Sequence, residues 1–452
     1  MSSPRATHRS TTRSSRRDVL RVGLLGGLGM TLSDLLRARA ATGAAQQPRE
    51  DTSIVWLWMQ GGAPHIETFD PKPGAPSEYR SMVGAVPTSL TGVEFGGLLP
   101  QLAQSAHRMA VIRSFGHTNG DHLGASHYML TARDGAGGSR VQTSPSFGSM
   151  AAKVRGVSHP VTGMPTFVRL SRTISFDFDQ PLWLGAANAP FDGTGQTLNN
   201  LSLAVETDRL ADRRRLLRGI DQLRRDVDQS GLMDGLDAFE QQAMGVVLGD
   251  SKQAFDLTEE PDATRQRYGP GLGEQLLTAR RLCEAGCGFV SLNYSYAPKS
   301  SDTPFGWDMH LGPSQAGAPP MTSQLHAAFP MFDRAVSAFI EDVAERGLDR
   351  NILLIVTGDF GRTPLINEYG GRDHWPAIST LAMAGGGLQM GQVVGTSSPK
   401  AEYPTSDLVG PENLLATMLH VLGIPADTKF TDFAGRPKYL VPEQAPPIAA
   451  LI

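Results

Sequence analysis

The sequence predicts an α/β fold in which helices cover both faces of a mostly parallel sheet. Short, continuously apolar segments rich in branched residues alternate along the chain with longer segments of helical character. Strands that are apolar at nearly every position are typical of parallel sheets that are buried on both faces. Histidine and aspartate residues directly follow several of these segments, as is common for sites at the carboxyl ends of parallel strands.

Five apolar segments are predicted to be buried strands. The first, Ser-Ile-Val-Trp-Leu-Trp-Met, stops at Gln60-Gly61-Gly62, and the fourth, Ile-Leu-Leu-Ile-Val, leads to Gly358. Glycine and polar residues of this kind end strands and begin loops. The predicted strands cover residues 53–59, 108–115, 288–294, 352–356 and 379–384.

Helical patterns occupy much of the remaining chain. Residues 275–285 and 331–346 are predicted to be helices that cover the sheet. Residues 206–229 combine apolar residues at three- and four-residue spacing with many charged residues, which indicates a helix with a solvated face. We interpret residues 200–262 as a helical insertion in a single domain that spans residues 50–452.

Residues 1–45 are predicted to be a twin-arginine signal peptide and linker. Ser-Arg-Arg-Asp-Val-Leu at residues 15–20 leads into a short apolar run, and small residues that suit signal cleavage follow it. The run is too short for an ordinary membrane span. A disordered basic tail is the alternative interpretation. The signal predicts export of the folded protein by the twin-arginine machinery to the periplasm or the extracellular space.

The composition limits the classes of partner. The chain has 452 residues and a formal net charge of −4, and its basic residues beyond the N-terminus are scattered. No basic stripe with interleaved aromatic residues is present, so we expect no nucleic-acid partner. No long apolar segment follows the signal, so we expect no stable membrane span in the mature form. The two cysteines, Cys283 and Cys287, lie one helical turn apart and are expected to be apolar fillers.

Carboxylate and imidazole side chains form the most informative pattern in the chain. Asp308 and His310 leave one short loop, Asp359 follows the fourth predicted strand, and His374 comes soon afterwards. Carboxylates and neutral imidazoles are ligands of zinc, manganese and other divalent ions. If these residues meet, they form a metal centre, and hydrolysis of an anionic ester becomes the leading hypothesis.

Further candidates follow the first two predicted strands. His65 and Asp70 lie in the first of these loops, and the second loop holds His117, His122 and His127. Each of these histidines is either a ligand or an ordinary loop residue, and the sequence leaves both roles open.

Four longer motifs carry a resemblance to a known family. They are Gly-Gly-Ala-Pro-His-Ile-Glu-Thr-Phe-Asp-Pro-Lys-Pro at 61–73, Trp-Asp-Met-His at 307–310, Gly-Asp-Phe-Gly-Arg-Thr-Pro at 358–364 and Gly-Arg-Asp-His-Trp-Pro at 371–376. From about residue 50 to its end, the chain resembles the bacterial domain of unknown function 1501 family. That family is considered similar to the sulfatase and alkaline phosphatase superfamily, and its biochemical activity is not established. The resemblance implies an alkaline-phosphatase-like fold.

The superfamily resemblance also implies metal ligands. Phe360 stands where the superfamily has a histidine ligand, which counts against a two-metal centre. The first strand lacks the aspartate ligand with which it usually ends, so His65 or Asp70 would have to replace it. The resemblance implies a divalent ion, with zinc, manganese and calcium all open. The other ligands that it implies are Asp308, His310, Asp359 and His374.

The catalytic groups are less clearly marked. No formylglycine motif is present, and His122 stands roughly where sulfatases have their cysteine nucleophile. Ser126 is a candidate hydroxyl nucleophile. Arg362 is a candidate anion-binding residue, because a guanidinium holds sulfate or phosphate through paired hydrogen bonds. The alternative role for Arg362 is structural, as a bridge between loop carbonyls.

Two functional hypotheses follow from these residues. The first is an exported, metal-dependent hydrolase that acts on a small anionic ester or on a sulfated or phosphorylated polysaccharide. The second is a secreted binding protein without catalysis that keeps the fold, either with one metal ion or without it. The four converging ligands favour the hydrolase, whereas Phe360 and the missing nucleophile motif favour the binding protein.

Overall fold

An eight-stranded sheet forms the centre of the fold. The computed structural model describes residues 51–135, 140–171, 178–194, 250–295, 306–315, 317–432 and 434–452. The predicted signal peptide and linker at residues 1–45 lie outside these ranges. Residues 200–249 of the predicted helical insertion also lie outside them.

The described ranges contain fourteen strands and eight α-helices. The strands are β1 (Ser53–Met59), β2 (Ala85–Pro87), β3 (Glu94–Gly96), β4 (Met109–Ile112), β5 (Phe167–Arg169), β6 (Phe191–Asp192), β7 (Phe289–Asn293), β8 (Ile352–Gly358), β9 (Gly361–Arg362), β10 (His374–Trp375), β11 (Leu381–Gly385), β12 (Gln392–Val394), β13 (Lys429–Thr431) and β14 (Pro437–Tyr439). The helices are α1 (His65–Thr68), α2 (Pro100–Gln104), α3 (His122–Thr131), α4 (Phe147–Arg155), α5 (Asp262–Tyr268), α6 (Leu272–Glu284), α7 (Met321–Glu345) and α8 (Pro411–Val421).

The strands of the central sheet run in one direction with a single exception. Their order is β12-β4-β11-β8-β1-β7-β5-β6. Strand β11 is antiparallel to both of its neighbours, and the other pairs are parallel. The prediction of a mostly parallel sheet is confirmed, and the five predicted strands correspond to β1, β4, β7, β8 and β11. The sequence does not reveal the reversed direction of β11, because a buried strand is apolar in either direction.

Both faces of the sheet are covered by helices, and β1 shows how. All of its side chains are buried, and they alternate between two cores. Val55 and Leu57 belong to a core that also contains residues of α6 and α7. Trp56 and Trp58 belong to a second core that contains residues of α4 and α8. Burial on both sides explains why this strand is apolar at nearly every position.

Helix α7 is longer than the sequence predicts. The predicted helix begins directly after Pro330, whereas α7 begins at Met321 and contains the proline. A proline inside a helix removes one backbone hydrogen bond and costs about 3 kcal/mol. Phe329 and Phe332 are fully buried against Trp307 on either side of that position, and their burial offsets the cost. Among the described residues, none of the helices combines the length and the apolar character needed to cross a membrane.

The loops at the carboxyl edge of the sheet approach one another closely. Gly61 and Gly62 follow β1 with φ values of 96° and 83°. A Cβ atom on Gly61 would lie 2.6 Å from the backbone nitrogen of Asp308, and one on Gly62 would lie 2.4 Å from the carbonyl oxygen of Phe360. Both conformation and space therefore require glycine at these positions. The loops after β1 and β8 and the loop that carries Asp308 are thereby brought together.

A fully buried ion pair joins α1 to the loop before β10. Glu67 and Arg372 have side chains that are 0% exposed, and their charged atoms lie 2.9 Å apart. Glu67 also accepts hydrogen bonds from the Ser81 hydroxyl at 2.7 Å and from the backbone N–H of Met82 at 3.0 Å. Arg372 donates to the carbonyl of Arg80 at 2.9 Å. Each charge is therefore matched by several polar partners, as burial requires.

Glu67→Gln is expected to lower the free energy of unfolding by about 3–5 kcal/mol, because it leaves the Arg372 charge buried without its partner. Urea unfolding measures the change. The matched control is Glu345→Gln, which breaks an exposed ion pair with Arg267 and is expected to cost about 1 kcal/mol or less. Equal losses in the two variants would contradict the importance of the buried pair.

Candidate metal centre

Asp308 lies at the centre of a cluster of imidazole and charged side chains at the carboxyl edge of the sheet. The Nε2 atoms of His310 and His374 each lie 3.3 Å from its carboxylate oxygens, and Nε2 of His122 lies 3.5 Å away. The Arg362 guanidinium donates to Oδ1 of Asp308 at 2.7 Å. The structure thus brings together side chains from the start of α3, from the loop around Asp308 and from β9 and β10.

Asp359 joins the cluster through His122. Its carboxylate is fully buried, and Oδ2 accepts a hydrogen bond from Nδ1 of His122 at 2.6 Å. The backbone N–H of Gly61 donates to Oδ1 at 3.1 Å. Because Nδ1 donates, Nε2 of the neutral His122 ring keeps its lone pair, and that lone pair faces Asp308. The Asp359 carboxylate thus orients a histidine, as carboxylates do beside metal-bound imidazoles, and its ligand role stays a prediction.

His374 and His310 have opposite hydrogen-bonding patterns. Nδ1 of His374 donates to the carbonyl oxygen of Gly120 at 2.9 Å, and its Nε2 lies 3.3 Å from Oδ1 of Asp308. Nδ1 of His310 instead accepts from the backbone N–H of Gly312 at 3.4 Å, which places the proton of the neutral ring on Nε2. His374 is therefore arranged as a metal ligand. Nε2 of His310 lies 3.3 Å from Oδ2 of Asp308, and the ligand role of His310 stays a prediction.

The Nε2 atoms of His122 and His374 therefore both lie beside the carboxylate of Asp308, whose negative charge favours a positive charge among the three groups. Burial opposes a charged His122 ring, but hydrogen bonds to Asp308 and Asp359 outweigh burial and raise the pKa of His122 to about 9. Burial also opposes a charged Asp308, but its contacts with His122, His374 and Arg362 hold its pKa well below the usual range. Either a proton or a metal ion would supply the positive charge that these groups favour.

The chemistry and spacing of His122, Asp308 and His374 fit a metal ion. Their ligand atoms all lie within 4.8 Å of one another. A tetrahedral zinc ion with bonds of about 2.0 Å places its ligand atoms about 3.3 Å apart. Nε2 of His374 lies 3.3 Å from Oδ1 of Asp308, and Nε2 of His122 lies 3.5 Å from the other oxygen, Oδ2. Each histidine has its second ring nitrogen held by an acceptor. Three protein ligands leave a fourth position open, as in catalytic zinc sites.

Phe360 forms an apolar wall beside the two candidate ligand histidines. Its buried ring lies with its centroid 4.9 Å from that of His122 and 4.5 Å from that of His374. The guanidinium carbon of Arg362 lies 5.4 Å from the same ring. A phenyl ring offers no ligand atom, so the geometry supports one ion at this place rather than two.

Arg362 has a structural role in this arrangement. It is fully buried, and its donors contact the carbonyl oxygens of Gly61, Gly62 and Arg372 in addition to Asp308. These contacts use Nε, Nη1 and Nη2, so no exposed pair of donors is left to hold a sulfate or phosphate group. The predicted anion-binding role is corrected to the structural alternative, in which Arg362 bridges loop carbonyls.

Three further predicted site residues lie outside the cluster. Ser126 is 1% exposed within α3, so its hydroxyl cannot reach a substrate from solvent. His65 is buried, and its Nε2 bonds a backbone carbonyl 3.0 Å away. Asp70 forms ion pairs with Lys72 at 3.1 Å and Arg113 at 3.2 Å. Burial of Ser126 and His65 and the ion pairs of Asp70 count against the predicted nucleophile and ligand roles of these residues, which stay predictions.

The sequence places His122 at the position of a nucleophile and leaves a ligand role open, and the structure groups its ring with Asp308 and His374. His122 is the first residue of α3, and the Asp121 side chain caps that helix through two backbone N–H groups. An aspartate directly before a helical run is a recognisable N-cap signal, so this helix start was detectable. Gln315, which donates to Oδ2 of Asp308 at 3.1 Å, has no comparable signal in the sequence.

The fold and the site define an α/β protein with a candidate metal centre at the carboxyl edge of its sheet. The chain belongs to the DUF1501 family, described as proteins of unknown function, whose model matches residues 51–452. Among curated proteins, none matches the chain.

Several solved structures are distantly similar to the chain. The sulfatase PsFucS1 from Pseudoalteromonas sp. is 11% identical with a TM-score of 0.39, over 86% of this chain and 70% of that one. The lipoteichoic acid synthase LtaP from Listeria monocytogenes is 10% identical with a TM-score of 0.35, over 89% of each chain. The phosphonate monoester hydrolase SpPMH from Silicibacter pomeroyi is 13% identical with a TM-score of 0.35, over 83% of this chain and 74% of that one. At this distance the similarity says nothing of activity.

The buried His65 makes the fold sensitive to acid. Burial lowers the pKa of His65 from 6.5 to about 4, although its hydrogen bond to Ala401 acts in the opposite direction. The unfolded chain therefore takes up this proton at a higher pH than the folded protein does. The stability that neutral His65 contributes is complete above about pH 6.5 and is lost as the pH falls towards 4.

Between pH 7 and pH 4, the free energy of unfolding is expected to fall by about 3 kcal/mol more in the wild type than in His65→Gln. The glutamine does not titrate, and all other titrating groups are common to the two proteins. Urea unfolding at a series of pH values measures the difference. Parallel pH dependence in the two proteins would contradict the prediction.

Proposed function

We propose that this protein binds one divalent metal ion through His122, Asp308 and His374 and uses it to hydrolyse sulfate or phosphate esters. The observation that carries the proposal is that Nε2 of His374 and Nε2 of His122 lie 3.3 and 3.5 Å from the oxygens of one carboxylate, that of Asp308. The Asp359 carboxylate and the Gly120 carbonyl support it, because they hold both rings in the tautomer that metal binding requires.

The donor set favours zinc among the ions that the sequence leaves open. Calcium takes six to eight oxygen ligands, whereas the proposed site offers two imidazoles and a single carboxylate. Imidazole ligands suit zinc and other transition metals. Manganese is the second choice, because it prefers a larger share of oxygen ligands.

An ion at this place would polarise an ester oxygen and lower the pKa of a coordinated water, which supplies a nucleophile near neutral pH. With neutral histidines, the ion and the Arg362 guanidinium outweigh the carboxylates of Asp308 and Asp359 by one positive charge, which favours an anionic substrate. Phe360 keeps water from one side of the cluster. His310, whose Nε2 lies 3.3 Å from Asp308, is the proposed proton donor to the leaving group.

We further propose that the protein works after export. The twin-arginine pattern within residues 1–45 supports transport of a protein that has already folded and acquired its metal ion. A single domain at residues 50–452 would follow that signal. Outside the cytoplasm, such a hydrolase meets small anionic esters and sulfated or phosphorylated polysaccharides, and these are the proposed substrate classes.

A secreted metal-binding protein without catalysis is the second candidate function. Among the described residues, no hydroxyl or thiol forms a hydrogen bond with His122, Asp308 or His374. Ser126 is buried, and Arg362 is fully occupied by loop carbonyls and Asp308. A site without a side-chain nucleophile or an exposed anion clamp favours this candidate unless the coordinated water is the nucleophile.

The purified protein is expected to bind one zinc ion per chain, as measured by titration calorimetry and elemental analysis. Asp308→Asn and His374→Ala are each expected to weaken zinc binding by about 100-fold or more, because each removes one of three ligands. The control is His326→Gln, at an exposed histidine that bonds the Thr322 carbonyl of its own helix. Zinc binding of wild-type strength by Asp308→Asn would contradict the proposed ligand set.

The zinc-loaded protein is expected to hydrolyse at least one aryl sulfate, phosphate monoester or phosphodiester. Asp308→Asn is expected to lower kcat/KM by about 100-fold or more, whereas Ser126→Ala is expected to keep it within about twofold, since the buried hydroxyl takes no part. Steady-state assays on the three substrate classes measure both effects. Zinc binding without turnover on any class would favour the binding protein, and a large loss in Ser126→Ala would restore Ser126 as the nucleophile.

A further inference from the structure

A buried histidine outside the cluster, His117, links the end of β8 to the loop that leads into α3. It is 5% exposed, and its Nε2 donates a hydrogen bond to the backbone carbonyl of Asp359 at 2.7 Å. Its Nδ1 accepts from the backbone N–H of Asn119 at 3.2 Å. Both ring nitrogens are therefore in use, in the pattern of a neutral imidazole with its proton on Nε2.

The loop that His117 holds makes two contributions to the cluster. The carbonyl oxygen of Gly120 lies 2.9 Å from Nδ1 of His374 and accepts its proton. Asp121 caps the helix that begins at His122, through hydrogen bonds from two backbone N–H groups. A displacement of this loop would therefore move the acceptor for one candidate ligand and the helix start that carries the other.

The hydrogen bond from His117 also fixes the backbone of Asp359. The carbonyl that His117 holds belongs to the residue whose carboxylate accepts from Nδ1 of His122 at 2.6 Å. One imidazole thus ties together both acceptors that select the tautomers of the ligand rings: the Asp359 carboxylate for His122 and the Gly120 carbonyl for His374.

We propose that His117 is a positioning residue of the metal centre, which fixes the Asp359 and Gly120 acceptors and through them the orientation of His122 and His374. This inference rests on the proposed metal centre, but the contacts of His117 are made by the metal-free protein. Groups that orient metal ligands without touching the metal typically contribute about 10- to 100-fold to metal affinity. Loss of His117 is expected to weaken binding by that factor.

The test is a titration of the full-length protein with Co²⁺, whose visible absorption reports both affinity and ligand geometry. His117→Phe keeps a ring against Tyr128, 5.6 Å away between centroids, and removes both hydrogen bonds. His117→Asn keeps a polar side chain that is too short to reach Asp359. Both variants are expected to bind Co²⁺ about 10- to 100-fold more weakly with an altered absorption band. His117→Gln supplies a donor and an acceptor of suitable reach, and it is expected to restore most of the affinity.

The matched control is His127→Phe. His127 is also buried, its Nδ1 bonds the carbonyl of Arg133 at 2.8 Å, and its Nε2 accepts from the backbone N–H of Thr143 at 3.1 Å. It therefore stabilises local structure near α3 in the way that a merely structural histidine does. His127→Phe is expected to lower the thermal midpoint and to leave Co²⁺ affinity within about twofold of wild type.

A second readout in the metal-free protein separates failure of this inference from failure of the metal centre. The proton in the 2.6 Å hydrogen bond between His122 and Asp359 is expected far downfield in the proton NMR spectrum. This signal is expected to shift or disappear in His117→Phe and His117→Asn and to persist in His127→Phe. Wild-type protein that binds no Co²⁺ would overturn the proposed metal centre, and the NMR comparison then decides the role of His117. Wild-type affinity and an unchanged His122 signal in a folded His117→Phe or His117→Asn protein would overturn the inference.

Discussion

The arrangement of the loops at the carboxyl edge of the sheet depends on the contacts of the buried Arg362 guanidinium. It holds the carbonyl oxygens of Gly61 and Gly62 and the carboxylate of Asp308, so one side chain ties the loop after β1 and the segment after β8 to the loop around Asp308. A buried charge is costly unless it is paired and hydrogen-bonded. Asp308 provides that pairing, so it stabilises the fold at the same place where it is proposed to bind a metal ion.

Charge balance explains why histidines surround this carboxylate. Arg362 offsets one of the two negative charges on Asp308 and Asp359, and the remaining charge attracts a cation to the space between His122 and His374. At the proposed metal centre a proton and a metal ion would compete for the same imidazole nitrogens, so metal binding would release a proton. Histidine suits such a place because it admits either occupant, whereas lysine or arginine would fill the place permanently.

The positions of the strands and the meeting of the site residues could be predicted from the sequence, whereas the role of each residue could not. Continuous apolar runs locate β1 and β8, and the rule that sites form at strand ends brings Asp308, Asp359 and His374 together. Roles depend on atomic contacts between distant segments. Asp359 accepts a hydrogen bond from His122, and Arg362 donates hydrogen bonds to backbone carbonyls. No local pattern of residues encodes these contacts.

The reversed direction of β11 keeps the segment between β8 and β11 at the edge of the sheet where the site lies. Strand β11 is antiparallel to β8 and begins beside the C-terminal end of β8. The chain therefore re-enters the sheet at the same edge at which it left. A parallel neighbour would require a crossover to the opposite edge. The short segment between β8 and β11 therefore contains Asp359, Arg362 and His374 in succession. A change in the length of this segment in a relative would alter the entrance to the site without changing the pairing of any strand.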